Sequence, residues 1–206
     1  HVFLVYRFGD NMAFRRTEMF DDGNHNDGAP NDGVYAAKIV NSANVIDYYI
    51  YADNDSAGVF SPVRAAYEYY TIKTNIQPGD LVINEIMSNN VNVITDPSGK
   101  FEDWIELYNP TNSSISTAGL FLTDTLEILH KWELPNYFIP AGEYIIVWAD
   151  EDGGQGDMHA NFQLSNLGEE LVLTNVDSVV IDSITYLPQA DDIAFARSPN
   201  GSGPFT

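Results

Sequence analysis

The residues best suited to chemistry lie in one acidic stretch, DDGNHNDGAPNDGVY, which runs from residue 21 to residue 35. Its side chains offer six candidate metal ligands, namely Asp21, Asp22, Asn24, Asn26, Asp27 and Asp32. Ca²⁺ takes about six to eight oxygen ligands, mostly from carboxylates and carbonyls, so these residue types fit calcium. The spacing Asp-x-Asn-x-Asn matches the first half of an EF-hand loop. The match then fails, because Asp27 stands where that loop needs glycine and Gly33 where it needs glutamate.

Turn formation is the alternative interpretation of the same stretch. Asp and Asn side chains cap their own turns, and glycine adopts positive φ without strain. Asp-Gly pairs directly before VYAAKIV also fit a hairpin connection. His25 is a candidate zinc ligand, but no second His or Cys lies near it in the sequence, which favours a simple loop side chain. The sequence leaves two alternatives open, a plain turn and a calcium-stabilised turn.

Two shorter acidic stretches present the same choice between calcium ligation and a plain turn. The candidate ligands are Asp150, Glu151, Asp152 and Asp157 in ADEDGGQGDMH, and Asp53 and Asp55 in YADNDSAG. Glycines in both stretches favour turns at the tips of hairpins.

Catalysis has weak support in the sequence. Glu102, Asp103 and Glu106 suggest a glycosidase pair, whose carboxyls lie about 5 Å apart in retaining enzymes and about 6.5–9.5 Å apart in inverting ones. Any acidic strand contains such distances, so the pattern carries little information. GGQG lacks the lysine of a phosphate-binding loop, and the sequence identifies no partner for His130 or His159. We therefore expect no catalytic site.

Composition narrows the class of protein further. The 206 residues include 9 basic and 30 acidic side chains, which gives a net charge of −21. Such a chain repels nucleic acid and anionic lipid. The absence of cysteine excludes disulfides and thiolate metal sites. No apolar run is long enough to span a membrane. No basic region followed by an apolar stretch occurs, so we expect no signal peptide in this sequence. The chain opens at His1 inside an apolar run, and we expect it to be part of a longer protein.

The elements that must position these residues are β-strands. Short apolar runs recur between clusters of Gly, Pro, Asn and Asp, and no helical period is sustained. The runs before a break at NIQPGD (75–80) cover 2–8, 13–20, 33–40, 45–52 and 65–74, with a turn at 41–44. Seven runs follow the break. The pattern predicts an all-β chain of two immunoglobulin-like antiparallel β-sandwich domains in tandem, 1–76 and 77–206. The first domain is either complete or lacks its first strands.

The second block gives the sharper packing predictions. In DWIELY, alternation places Trp104, Glu106 and Tyr108 on one face and Asp103, Ile105 and Leu107 on the other. YIIVWA is nearly all apolar, which predicts a central strand that is buried on both faces. The three tryptophans, Trp104, Trp132 and Trp148, are expected to fill the core. Asn109-Pro110 should end a strand, and the sequence from Pro140 to Gly142 should form a turn.

A series of motifs in the second block resembles the lamin tail domain, an immunoglobulin-like family found in nuclear lamins and in many exported bacterial proteins. The motifs occur in order as LVINEIMSNN, FEDWIELYNPTNSSISTAGLFLTD, HKWELPNYFIPAGEYIIVWAD, HANFQLSNLGEELVLTN, DSITY and FARSPNG. The resemblance covers residues 81–203. The first block, through the pattern of residues 19–35, resembles the small immunoglobulin-like domain that often precedes a lamin tail domain in bacterial surface proteins.

The resemblance implies a non-catalytic accessory, adhesion or interaction module of an exported bacterial protein, located outside the cell or at its surface. Calcium is the one cofactor that the acidic loop suggests. The expected partners are other domains of a longer host protein and a protein or carbohydrate ligand, with no nucleic acid. Two alternatives stay open. One is a hydrolase with a carboxylate and calcium site at the domain junction, and the other is a purely structural spacer.

Overall fold

The computed structural model describes residues 1–9, 12–40 and 43–206. The regular elements of these residues are all β-strands, which confirms the predicted fold class, and none of them is a helix that could cross a membrane. The chain divides into two compact units, His1–Asn75 and Ile76–Thr206. The predicted boundary lies one residue from this division. The assignment of the first unit to an immunoglobulin-like domain stays a prediction.

The first unit contains one antiparallel sheet of five strands. The strands are β1 (Val2–Phe8), β2 (Arg15–Met19), β3 (Val45–Asp53), β4 (Gly58–Ser61) and β5 (Tyr70–Lys73). β1 pairs with β2 on one side and with β3 on the other. The far edge of β3 pairs with β5 along its first half and with β4 along its second half.

Apolar side chains occupy both faces of this sheet. Val5 pairs with Tyr49 on one face, and Leu4 pairs with Ile50 on the other. Among the described residues of the unit, Val5 and Ile46 are the only apolar side chains classed as buried. The described strands form one layer rather than two facing layers, so a sandwich is not shown for this unit. Many of its aromatic rings therefore remain partly open to solvent.

Three predictions for the first unit need correction. The run at 33–40 forms no strand; only Ala36 bridges to Phe20, because most of its side chains are exposed and gain no burial from joining a sheet. The run at 65–74 begins with a turn, in which the backbone N–H groups of Tyr67 and Glu68 donate to the Arg64 carbonyl. Strand β4 was not predicted. The predicted turn at 41–44 lies partly outside the described residues.

The second unit is a sandwich of two four-stranded antiparallel sheets with one additional strand pair. The strands are β6 (Val82–Met87), β7 (Trp104–Tyr108), β8 (Ser114–Ser116), β9 (Leu120–Thr123), β10 (Trp132–Glu133), β11 (Phe138–Ile139), β12 (Tyr144–Trp148), β13 (Glu169–Asn175), β14 (Val180–Tyr186) and β15 (Phe195–Ala196). One sheet has the order β10-β9-β13-β14, and the other has the order β12-β7-β6-β15. β8 pairs with β11.

The core of this unit lies between the two sheets. Ile105 and Leu107 of β7 enter it from one sheet, and Leu122 of β9 and Leu173 of β13 enter it from the other. All four side chains are fully buried. Complete burial of a Leu or Ile side chain stabilises a protein by roughly 1.5–3 kcal/mol, so this unit holds most of the hydrophobic stabilisation of the chain.

Two loop devices fix the geometry of the second unit. Asn109 directly follows β7 and is completely buried. Its Nδ2 donates to the carbonyls of Ser113, Ile139 and Pro140, each at 2.9 Å, and so ties three segments together. At Gly168, φ is +90° and an added Cβ would lie 2.5 Å from the Tyr186 carbonyl oxygen, so only glycine fits at this close approach.

The predicted faces of β7 are confirmed, since Ile105 and Leu107 join the main core. Trp104 and Trp148 are also buried, but they form a separate cluster with Met87 on the opposite face of the sheet, while Trp132 is only partly buried. Among the described residues, the Trp104 indole N–H has no hydrogen-bond partner.

The predicted central strand is wrong. β12 lies at the end of its sheet and pairs with only one named strand, β7. Its other edge is covered by a short irregular segment, because the Trp148 N–H donates to the Met158 carbonyl and the Ala160 N–H donates to the Trp148 carbonyl. The strand is nearly all apolar because both of its faces pack: Ile145 and Val147 belong to the main core, and Trp148 and Ile146 belong to the cluster on the opposite face.

Candidate functional site

The acidic loop of the first unit follows β2 and is closed by paired backbone hydrogen bonds between Phe20 and Ala36. Asp27 lies at its centre and is completely buried. Its carboxylate accepts the backbone N–H groups of Asp22, Gly23 and His25. Burial alone would raise the pKa of Asp27, but these N–H donors outweigh it and the pKa is lowered. The ionised Asp27 side chain therefore holds the loop together by accepting hydrogen bonds from its backbone N–H groups.

The remaining predicted ligands also cap turns. Both oxygens of Asp21 accept N–H groups, from Asp32 at 3.1 Å and from Gly33 at 3.0 Å. Asp32 in turn accepts the N–H groups of Ala29 and Val34. Asn24 donates its backbone N–H to Asp22 Oδ1 and its side-chain amide to the Asp22 carbonyl, and Asn26 adopts a left-handed conformation with φ of 62°. The loop is thus held together by its own hydrogen bonds.

Three side chains of this loop nevertheless converge. Asp22, His25 and Asp27 each place one potential ligand atom within 4.8 Å of the others. His25 Nδ1 lies 2.9 Å from Asp22 Oδ1, and this hydrogen bond is the main reason why the pKa of Asp22 is lowered. Asp21 and Asp32 lie outside the group. A carboxylate that accepts N–H groups still has lone pairs with which to bind a cation. The hydrogen bonds of the loop are therefore compatible with calcium, and calcium binding stays a prediction.

The second unit contains a buried group that includes two residues outside the predicted set. Asp96, Asp150 and His159 are all at least nine-tenths buried, and each places a potential ligand atom within 4.8 Å of the others. Asp150 Oδ2 lies 2.6 Å from His159 Nδ1. Asp96 accepts the Ser98 hydroxyl and the Lys100 N–H. Burial would raise its pKa, but these donors lower it overall.

The sequence alone identified only Asp150 of this group. Asp96 lies in a tight turn, in which the Gly99 N–H donates to the Asp96 carbonyl, and such a turn is usual for Asp-Pro-Ser-Gly. His159 lies in the segment that covers the edge of β12, and its ring stacks 6.5 Å from that of Trp148. No local pattern links Asp96 to His159, because tertiary packing alone brings their loops together. The other acidic candidates of this stretch, Glu151, Asp152 and Asp157, are exposed.

The turn after β3 is capped by one of its own side chains. Asn54 Oδ1 accepts the N–H groups of Ser56 and Ala57. Asp53 ends β3 and lies 3.6 Å from the N-terminal amine of His1, and Asp55 is exposed.

Several carboxylates near β7 have raised pKa values. Burial raises the pKa of Asp103 to about 6, and the charges of Glu102 and Glu169 add to this effect. Burial also raises the pKa of Glu106, and that of Glu85, its cross-strand partner. The pKa of Glu102 is raised by burial and by Asp150. Because Asp103 and Glu106 point to opposite faces of β7, these two do not form the carboxylate pair that glycoside hydrolysis needs.

An open groove of about 540 Å³ crosses one face of the first sheet. Its floor is Val5, and its walls include Phe14, Tyr49, Tyr51 and Phe60. The single-layer sheet leaves these rings exposed or half-exposed, because no second sheet of this unit covers them.

His130 also has partners that the sequence did not identify. Its ring stacks on Phe121 at 4.3 Å, and its Nε2 lies 3.0 Å from the Asn175 carbonyl oxygen. It holds a loop to the β9–β13 sheet, which is a structural role.

The second unit has the architecture of an immunoglobulin-like domain, with two facing antiparallel sheets whose loops are held by buried polar side chains. The lamin tail domain family matches residues 74–188, and the chain belongs to this family. A comparison with curated proteins finds no match. An immunoglobulin-like module of this family fits a non-catalytic interaction domain or a structural domain.

Proposed function

We propose that this chain is a non-catalytic binding module of an exported bacterial protein, which acts outside the cell or at its surface. The observation that carries the proposal is the aromatic groove of the first unit. Binding sites are typically concave, lined by apolar and aromatic side chains, and supplied with a few polar groups. Val5, Tyr49, Tyr51 and Phe60 meet this description on a sheet face that the first unit does not cover.

The lamin tail domain supports a role in interaction rather than catalysis. Asp103, whose pKa is raised to about 6, lies on the opposite face of β7 from Glu106 and its cross-strand partner Glu85, and the loop carboxylate of Asp96 is engaged by a backbone N–H group. The export, the bacterial source and the immunoglobulin-like character of the first unit are part of the proposal. They rest on the resemblance of residues 19–35 to the domain that precedes lamin tail domains in bacterial surface proteins.

Calcium is the proposed stabiliser of the acidic loop. The convergence of Asp22, His25 and Asp27 supports it, as does the capacity of these carboxylates to accept further contacts. On this proposal calcium rigidifies the loop and takes no part in any reaction.

An array of immobilised polysaccharides and peptides tests the binding function directly. We expect the complete chain to be retained on at least one class of surface and the Phe60→Ala variant to be retained much less. Val59→Ala is the matched control, since Val59 precedes Phe60 in β4, points to the opposite face and is 64% exposed. Equal retention of wild type and Phe60→Ala would contradict the proposal, and so would no retention anywhere.

A further inference from the structure

Arg15 and Arg16 both border the aromatic groove of the first unit, and both are exposed. Only Arg16 points to the groove face, because it pairs with Val5, whereas Arg15 pairs with Tyr6 and points to the opposite face. In the part of the chain that the structure describes, neither forms an ion pair with an acidic side chain. The Arg16 guanidinium carbon lies 4.8 Å from the centre of the Phe3 ring, a contact that orients the charge without neutralising it. The groove therefore offers the Arg16 charge to a ligand, and Arg15 adds a second positive charge on the other face of the same strand.

These charges are unusual in a chain with a net charge of −21. Six of the nine basic residues, but only ten of the thirty acidic ones, fall within the first 75 residues. The field of the whole chain repels a long polyanion such as nucleic acid. Salt screens that field over about 8–10 Å, whereas a contact within the groove is made at shorter range. The charge pattern thus favours a ligand with a few anionic groups.

The aromatic walls provide stacking surfaces. The ring centres of Tyr49 and Phe60 lie 6.1 Å apart, and those of Tyr51 and Phe60 lie 4.9 Å apart. Phe60 is 46% exposed. A second hollow, of about 360 Å³, shares Tyr49 and Phe60 with the groove, so this ring pair stands between two adjoining depressions. Such a surface fits an extended ligand of several units better than one compact molecule.

Tyr51 is held in place by its neighbours. A Cβ added at Gly58 would lie 2.8 Å from the Tyr51 hydroxyl, so the absence of a side chain at Gly58 makes room for the ring. The Asp53 carboxylate beside the Tyr51 hydroxyl is the main reason why the pKa of Tyr51 is raised. One wall of the groove is therefore ordered before any ligand arrives, which lowers the entropic cost of binding.

We infer that this groove binds an acidic oligosaccharide, with sugar rings on Tyr49 and Phe60 and a sugar carboxylate at Arg16. The inference rests on the proposed binding function and specifies its ligand. A guanidinium pairs with a carboxylate through two parallel hydrogen bonds. A peptide that binds as an added strand needs a free sheet edge, whereas this groove lies on a sheet face. The apolar C–H face of a sugar ring, in contrast, needs only an exposed aromatic ring.

Calorimetric titration of the complete chain with oligogalacturonate hexamers tests the inference. The fully methyl-esterified hexamer is the matched neutral probe, because it keeps the sugar rings and removes the charge. A chelator in both titrations prevents calcium from bridging the carboxylates. We expect the acidic hexamer to bind at least tenfold more tightly than the ester. Arg16→Gln should weaken binding of the acid about tenfold and leave binding of the ester unchanged, while Phe60→Ala should weaken both.

Lys38→Gln is the matched control for Arg16→Gln, since it removes an exposed positive charge of the same unit outside the groove. The circular dichroism spectra of both variants must equal that of the wild type.

Equal affinity for acid and ester would overturn the anionic part of the inference. No binding of either hexamer, together with retention of an acidic peptide or an oligonucleotide that Phe60→Ala abolishes, would overturn the saccharide assignment but leave the proposed binding function standing. No binding of any probe would overturn both.

Discussion

Asp103 provides a test of the electrostatics of the lamin tail domain. Burial and the neighbouring charges of Glu102 and Glu169 raise its pKa to about 6, against about 3.9 in an unfolded chain. The folded state therefore holds the proton more tightly than the unfolded state. The contribution of Asp103 to stability is fully present below pH 4 and is lost as the pH rises through about 6. At neutral pH the charged carboxylate destabilises the fold.

The size of the Asp103 pKa shift sets the expected change in the free energy of unfolding. About two pKa units at 1.36 kcal/mol each set an upper limit of about 3 kcal/mol. Because the side chain keeps partial contact with solvent, we reduce this to about 1–2 kcal/mol. Asp103→Asn removes the charge, and its amide oxygen can still accept the Asn90 N–H, which the wild-type carboxylate accepts at 3.2 Å. The variant should be more stable than the wild type at pH 7.5 and equally stable at pH 3.5.

Urea unfolding followed by tryptophan fluorescence measures this effect in the correct unit, because Trp104, Trp132 and Trp148 all lie in the second unit. Asp157→Asn, which removes an exposed charge from a loop of the same unit, is the control and should change stability little at either pH. If Asp103→Asn is no more stable than the wild type at pH 7.5, the charged Asp103 carboxylate does not destabilise the fold and this explanation is wrong. A gain of the same size at pH 3.5 would refute it equally, since that gain would not arise from ionisation.

Three further substitutions or conditions have expected outcomes. Asn109→Asp should lower the free energy of unfolding in urea by about 3 kcal/mol or more at neutral pH, because an aspartate carboxylate has no hydrogen to donate to the three carbonyls that Asn109 contacts. Asn112→Asp, at an exposed position, should change it little. Gly168→Ala should lower the free energy of unfolding by about 2 kcal/mol or more, because φ is positive there and the Tyr186 carbonyl is close. Gly153→Ala is the control and should be tolerated, since a Cβ at Gly153 meets open space. Equal losses of stability in the two variants would contradict the steric explanation. Calcium at 100 times its Kd should stabilise the first unit by about 2.7 kcal/mol and raise the midpoint of its tyrosine circular dichroism transition by several degrees. Magnesium should not, and Asp22→Asn should abolish the rise; a rise that survives Asp22→Asn would place the calcium elsewhere.

The sequence predicted those parts of the fold in which local alternation and burial agree. The β1 bounds match the predicted run 2–8, and the alternation of DWIELY correctly divided β7 into a core face and an outer face. The match of the lamin tail domain family to residues 74–188 overlaps most of the region in which ordered motifs suggested it. These features depend on neighbours within one strand or one turn, which the sequence displays directly.

Features that depend on tertiary contacts were not predicted. VYAAKIV has strand-forming residues, but most of its side chains are exposed and only Ala36 pairs. β12 looked central because it is apolar, but a segment ending at Ala160, rather than another strand, covers its outer edge. The short strands β8, β11 and β15 have two or three residues each, too few to show a period.

In the candidate sites too, the sequence predicted local features but not those that depend on tertiary contacts. The sequence suggested that Asp side chains of the acidic loop cap turns, and Asp32 does accept the nearby N–H groups of Ala29 and Val34. It missed the meeting of Asp96 with His159, since those residues come from separate loops. The groove remains open because the described strands of the first unit form one sheet, which composition alone does not reveal.

On our proposal, the chain binds its ligand through the groove of the first unit. Carbene footprinting of the complete chain, with and without a saccharide or peptide that the array retains, tests this most directly, because carbene labels side chains according to their exposure to solvent. We expect the ligand to lower the labelling of Tyr49, Tyr51 and Phe60. The labelling of Val59, on the opposite face of β4, should stay unchanged. Unchanged labelling of these three rings, with protection confined to the lamin tail domain, would contradict the proposal.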